Sequence, residues 1–121
     1  MGMADSILFL MTKPPYGFEE FFAGARASLA MLASGSIGRS TLLLVGDGTL
    51  NAVATQDPGA IKMPSNIEAI NDLADFEGEV YCIAEDLKAR VGDVATIEGV
   101  KMVWWDKARE LVSEHQMITT F

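Results

Sequence analysis

The chain has one cysteine, one histidine and four prolines in 121 residues. The single cysteine, Cys82, cannot close an internal disulfide, which fits a reducing compartment. It also excludes a dithiol mechanism within one chain, so any sulfur or disulfide exchange must go to a partner or a small molecule. With one histidine, His115, at the far end of the last expected helix, there is neither a hydrolase triad nor a metal ligand set. No run of about eighteen apolar residues exists, so no membrane span is expected. The apolar stretch Ile7 to Met11 is too short for a signal-peptide core and runs into Lys13-Pro14-Pro15, so a cytoplasmic protein is expected. Basic residues are also few. Nine Lys and Arg against seventeen Asp and Glu give a net charge of −8. That argues against direct contact with nucleic acid, which needs clustered cations, and favours a partner protein with a basic face. The first loop has no glycine-rich phosphate signature, and Pro14 and Pro15 remove amide donors that a phosphate would need. No nucleotide, flavin or other cofactor is expected.

Half of the residues are apolar, enough for one core and one domain over residues 1–121. Ser6 to Met11 and Thr41 to Val45 are nearly continuous apolar runs, the pattern of strands covered on both faces. Between them, Phe18, Phe21, Phe22, Ala25, Leu29 and Leu32 recur at helical spacing, with Gly35 as the stop. The opposite face of that helix carries Ala23, Ala27 and Ala30 and is small enough to pack against another subunit. Ser65 and Glu68 form a capping box for a second helix, with Ile67, Ile70, Leu73 and Ala74 as its stripe and Gly78 as its end. Glu79 to Ala84 is the third strand, and Glu85 to Val91 a short helix. Val100 to Trp104 is a fourth strand, diluted by Lys101. Asp106 caps a helix over Lys107 to Glu114. Met117 to Phe121 is a fifth strand, diluted by Thr119 and Thr120. This alternation predicts a parallel three-layer α/β sheet with strands one to three central and strands four and five at the edges.

Ligands of such sheets bind outside the carboxyl ends of the strands. Thr12 to Gly17, Gly46 to Asn51, Cys82 to Asp86 and Trp104 to Asp106 are expected to meet there. Cys82 stands where a strand runs into a helix, whose amides and dipole favour a thiolate. As a residue type, a free cysteine is more often a small buried hydrophobe. Gly46-Asp47-Gly48 reads as a turn, or as a backbone wall beside that thiol. If the fourth strand continues through them, Trp104 and Trp105 fall on opposite faces, one expected in the core and the other lining a pocket or a subunit contact. His115 is expected to complement the dipole of the last helix at the opposite sheet edge.

The chain resembles the DsrE/DsrF-like family, which includes the sulfur-relay subunits TusB, TusC and TusD. The resemblance rests on the order and spacing of several stretches. They are the first strand with Thr12-Lys13-Pro14-Pro15-Tyr16-Gly17, the Ala-rich helix, Gly46-Asp47-Gly48-Thr49-Leu50, Val80-Tyr81-Cys82-Ile83-Ala84-Glu85-Asp86-Leu87-Lys88-Ala89-Arg90, Ile97 to Val103, and a last helix and strand ending at Phe121. It implies a five-stranded parallel sheet of order 4-3-2-1-5 and homo- or hetero-oligomers, often trimers or hexamers. It also implies that the matching Cys82 accepts sulfur as a persulfide from a donor protein and passes it to an acceptor. Lys13, Tyr16, Gly46, Asp47, Gly48, Glu85 and Trp105 are the expected pocket or supporting residues. The chain departs from the family where Glu85 and Asp86 follow the cysteine. Their charge opposes a thiolate, so Lys13, Arg90 or a neighbouring subunit would have to offset it. Two other roles fit the same residues. One is a non-catalytic subunit of an oligomer, with Cys82 buried. The other is a small-molecule module with a pocket bounded by Tyr16, Trp104 or Trp105.

Overall fold

A computed structural model describes residues 5–14, 20–35, 37–54 and 66–121, without the side chains of residues 20–22 and 66–67. Its elements are β1 (Ser6–Met11), α1 (Glu20–Ala33), β2 (Arg39–Leu44), the 3-10 helix η1 (Gly46–Ala52), α2 (Asn66–Asp75), β3 (Glu79–Ile83), α3 (Ala84–Val91), β4 (Val100–Val103), α4 (Trp105–Glu114) and β5 (Met117–Thr120). The five strands form one parallel sheet in the order β4-β3-β2-β1-β5. The diluted strands β4 and β5 are its edges. Tyr16, the start of the first helix at Phe18 and the Ser65 cap lie outside the described residues.

The strand order dictates where the helices go. From β1 to β4 each step moves the same way across the sheet, so right-handed crossovers place α1, α2 and α3 on one face. The step from β4 back to β5 reverses direction, so α4 crosses the other face. The core divides accordingly. Ile7, Phe9, Leu42, Leu44, Val80 and Cys82 pack with Ala25 of α1, Ile70 and Leu73 of α2, Ala52 of η1 and Leu87 of α3. Leu8, Leu43, Tyr81 and Ile83 pack with Ala108 and Leu111 of α4, flanked by partly buried Leu10, Val45 and Val103. One helix cannot cover five strands. Beside α4 an apolar cleft of about 480 Å³ remains between Leu10, Leu43 and Val45 on the sheet and Trp105 and Val112 on the helix.

Two helix ends differ from expectation. Gly78 is not the left-handed residue that ends α2. Glu77 takes that role with φ 63°. Glu77 N donates to Ala74 O at 3.0 Å and Gly78 N to Leu73 O at 2.9 Å, the two bonds of a Schellman motif. Gly78 is needed for another reason, since a Cβ there would stand 2.4 Å from Leu73 Cγ. At α4, the strand stops at Val103 and Trp105 already begins the helix, with Trp104 as N-cap. The alternation expected of the tryptophan pair therefore never applies. Neither is core, with Trp104 65% and Trp105 43% exposed.

Candidate functional site

β3 passes into α3 without a loop. Ile83 keeps extended backbone angles as the N-cap and offers no side-chain cap, while Glu85 and Asp86 place two carboxylates in the first turn. Cys82, one residue before the junction, lies between Leu44 of β2 and Met102 of β4. Its side chain is fully buried. Its Sγ makes long, weak contacts of 3.9 Å with the carbonyls of Thr49 and Ile83. A carbonyl presents the negative end of its dipole, so these neighbours favour the thiol. Burial first, and the nearby Asp86 carboxylate second, push the Cys82 thiol up to about 12. Burial and the Asp86 carboxylate act against the stabilisation of a thiolate expected from the helix amides. Desolvation disfavours the charged form of a sulfur that has no contact with water.

The element that encloses the thiol is η1. Gly48 lets it lie flush against β1, since a Cβ there would stand 1.9 Å from the Met11 carbonyl oxygen. Thr49 Oγ1 donates to Gly46 O at 2.7 Å within the turn. Buried Asn51 donates from Nδ2 to Gly48 O at 3.0 Å and to Lys13 O at 2.9 Å. α3 holds the other side. Gly46 N donates to Asp86 Oδ2 at 2.8 Å. Arg90 Nε lies 2.9 Å from Asp47 Oδ1, and its second arm donates to Asp86 O at 3.1 Å. The Gly46-Asp47-Gly48 turn is thus the first half of a 3-10 helix, strapped to α3.

A family model matches residues 5–115, that of the DsrE/DsrF-like family. The chain belongs to the DsrE/DsrF-like family. Its fold is that of the ychN protein of E. coli, whose crystal structure superposes with a TM-score of 0.86 at 19% identity, covering 97% of this chain and 99% of that one. Among curated proteins none matches the chain.

In this DsrE/DsrF-like chain the candidate residues form two groups. Gly46, Asp47, Gly48 and Cys82 come together around η1, with the Lys13 carbonyl joined through Asn51. Glu85 and Trp105 form the second group. Glu85 Oε2 accepts from Trp105 N at 3.4 Å and so marks the start of α4. The Trp105 side chain lines the cleft on the α4 face, whereas Cys82 belongs to the core on the opposite face. A pocket shared by Trp105 and Cys82 is therefore ruled out by the sheet between them. The Arg90 guanidinium is directed to Asp47 and the Asp86 carbonyl, and its hydrogen bonds go to them and not to the Cys82 sulfur.

Thr49 and Asn51 do not stand out in sequence, being an ordinary Thr and Asn after a glycine turn. An Asn three residues after a glycine, inside a short apolar stretch, is well suited to bonding a nearby carbonyl. His115 is at the opposite sheet edge as expected, but buried. Its Nδ1 donates to Leu111 O at 2.6 Å and its Nε2 is 2.8 Å from Thr41 Oγ1.

Proposed function

We propose that the protein serves sulfur relay as an assembling subunit whose one cysteine is an enclosed structural thiol. Sulfur relay through partner proteins and oligomers is the general role of the DsrE/DsrF-like family. The observation that carries the non-carrier role is the state of Cys82. It is fully buried, and its acid range is raised to about 12. At neutral pH a thiol with that range is ionised to only on the order of one part in 10⁵, and the thiolate is the reactive form. Assembly has support of a different kind. Trp104, Trp105, Val112 and Ile118 are exposed apolar side chains, and tryptophan is favoured in subunit interfaces. No helix among the described residues is long and apolar enough to cross a membrane.

One observation favours a second reading. Cys82 stands at the end of the third strand, where the family's sulfur carriers hold their acceptor cysteine. As a carrier, the Cys82 thiolate would take the outer sulfur of a donor protein's persulfide, releasing the donor thiolate. An acceptor thiolate would then remove that sulfur and restore Cys82.

Intact mass after incubation with a small-molecule persulfide donor separates the two. The subunit reading expects no mass gain by wild type at neutral pH and a mass above the monomer in native mass spectrometry, alone or with a co-purified relative. A gain of one sulfur that is lost in Cys82→Ser overturns it in favour of the carrier.

A further inference from the structure

One short element lies directly against Cys82. The Thr49 carbonyl of η1 lies against the sulfur, and Ala52 of η1 shares its core cluster. On the β1 side, η1 is fixed by backbone fit at Gly48 and by buried Asn51. Its last residue, Ala52, is tied to the segment after α3 by Ile97 N, which donates to Ala52 O at 2.8 Å, while its first residues are held to α3 by two polar side chains. Asp86 grips the first amide of η1, and Arg90 grips Asp47 while bonding the Asp86 carbonyl. The contacts differ in exposure. The Arg90 and Asp47 side chains are 35% and 61% exposed, so a charged competitor can reach them. Asp86 is half-buried.

We propose that Asp86 and Arg90 form a clasp between α3 and η1 that controls whether Cys82 meets solvent. With the clasp closed, η1 covers the sulfur. With it open, the α3 side of η1 lifts and the thiol is exposed without unfolding of the sheet. The inference rests on the reading of Cys82 as enclosed, and adds what encloses it. It also gives the residues after the cysteine a role. Asp86 serves as the anchor of the cover, and Arg90, one helical turn further on, braces the same cover through Asp47.

The test is the rate of iodoacetamide labelling of Cys82 at pH 8, followed by mass, in wild type, Asp86→Ala, Arg90→Ala and Leu111→Ala. Leu111 is buried under α4 on the opposite face, so its truncation lowers global stability without touching the clasp. The clasp variants are expected to label at least tenfold faster than wild type, and faster than Leu111→Ala even where that variant melts at a lower temperature. If Asp86→Ala fails to fold, Arg90→Ala decides alone, its side chain being at the surface. Clasp variants that label at the wild-type rate overturn the proposal, as do rates that simply follow melting temperature across all variants. Slow wild-type labelling in that case leaves the enclosed thiol intact. Wild-type labelling as fast as that of a free thiol overturns both.

Discussion

Thr41 Oγ1 and His115 Nε2 lie 2.8 Å apart in the interior, joining the start of β2 to the end of α4. The second ring nitrogen is occupied too, since Nδ1 faces the Leu111 carbonyl at 2.6 Å and must donate to it. That bond selects the tautomer with the proton on Nδ1, so Nε2 accepts from the Thr41 hydroxyl. Thr41→Val keeps the shape and removes the donor, leaving a buried ring nitrogen unsatisfied. The expected loss is about 1–3 kcal/mol, read as a lower urea midpoint at unchanged slope. A midpoint equal to wild type would mean that water replaces the hydroxyl.

Arg39 ties three elements at the same sheet edge. Its guanidinium meets Glu79 of β3 through Nε at 2.6 Å and a second nitrogen at 3.1 Å, and Glu114 of α4 at 2.9 Å. The Arg39 hydrogen bond holds the Glu79 carboxyl below its usual range. A depressed carboxylate binds fewer protons folded than unfolded. Its contribution is therefore complete above the ordinary glutamate range of about 4.3 and lost as pH falls through the lowered folded value. Arg39→Met is expected to cost about 1 kcal/mol at pH 7, a modest figure because the pair is partly solvated. Thermal scans should show the gap between wild type and variant closing as pH falls below that range. A gap independent of pH would assign the loss to packing of the Arg39 stem.

The raised range of Cys82 predicts the opposite dependence. A thiol that ionises near 8.5 unfolded and about 12 folded binds more protons in the native state between those values. Stability is then fully present below about 8.5 and declines as pH rises toward 12. Cys82→Ala removes this contribution. The fall in melting temperature between pH 8 and 10 should be smaller in the variant than in wild type. Parallel curves would show that the thiol titrates normally.

Glu77 is the one described residue other than glycine with positive φ. It closes the Schellman motif of α2 at φ 63°, a conformation in which a Cβ is crowded by backbone. Glu77→Gly relieves that and is expected to raise stability by about 0.5–1 kcal/mol, less what the freer unfolded chain takes back. Gly78→Ala places its Cβ 2.4 Å from Leu73 Cγ and should do the reverse. Melting temperatures of the pair of variants check both signs.

Element order, parallel pairing and the edge positions of β4 and β5 were legible in the chain. Those properties depend on local hydrophobic period and on how far polar residues dilute each strand, and both can be counted along a sequence. The position of Cys82 at the end of β3 was legible for the same reason. Its chemical state was not. Whether a thiol at a helix start is a nucleophile or core depends on what covers it. Here the cover is η1, which follows β2 and is held by Asp86 and Arg90 from α3. The tryptophan pair went the same way. Alternation governs only while a strand lasts, and β4 ends at Val103. The burial of His115 required α4 to end over Thr41, 74 residues away in sequence. Contacts between distant segments decide desolvation, and desolvation decides whether a polar group reacts or packs.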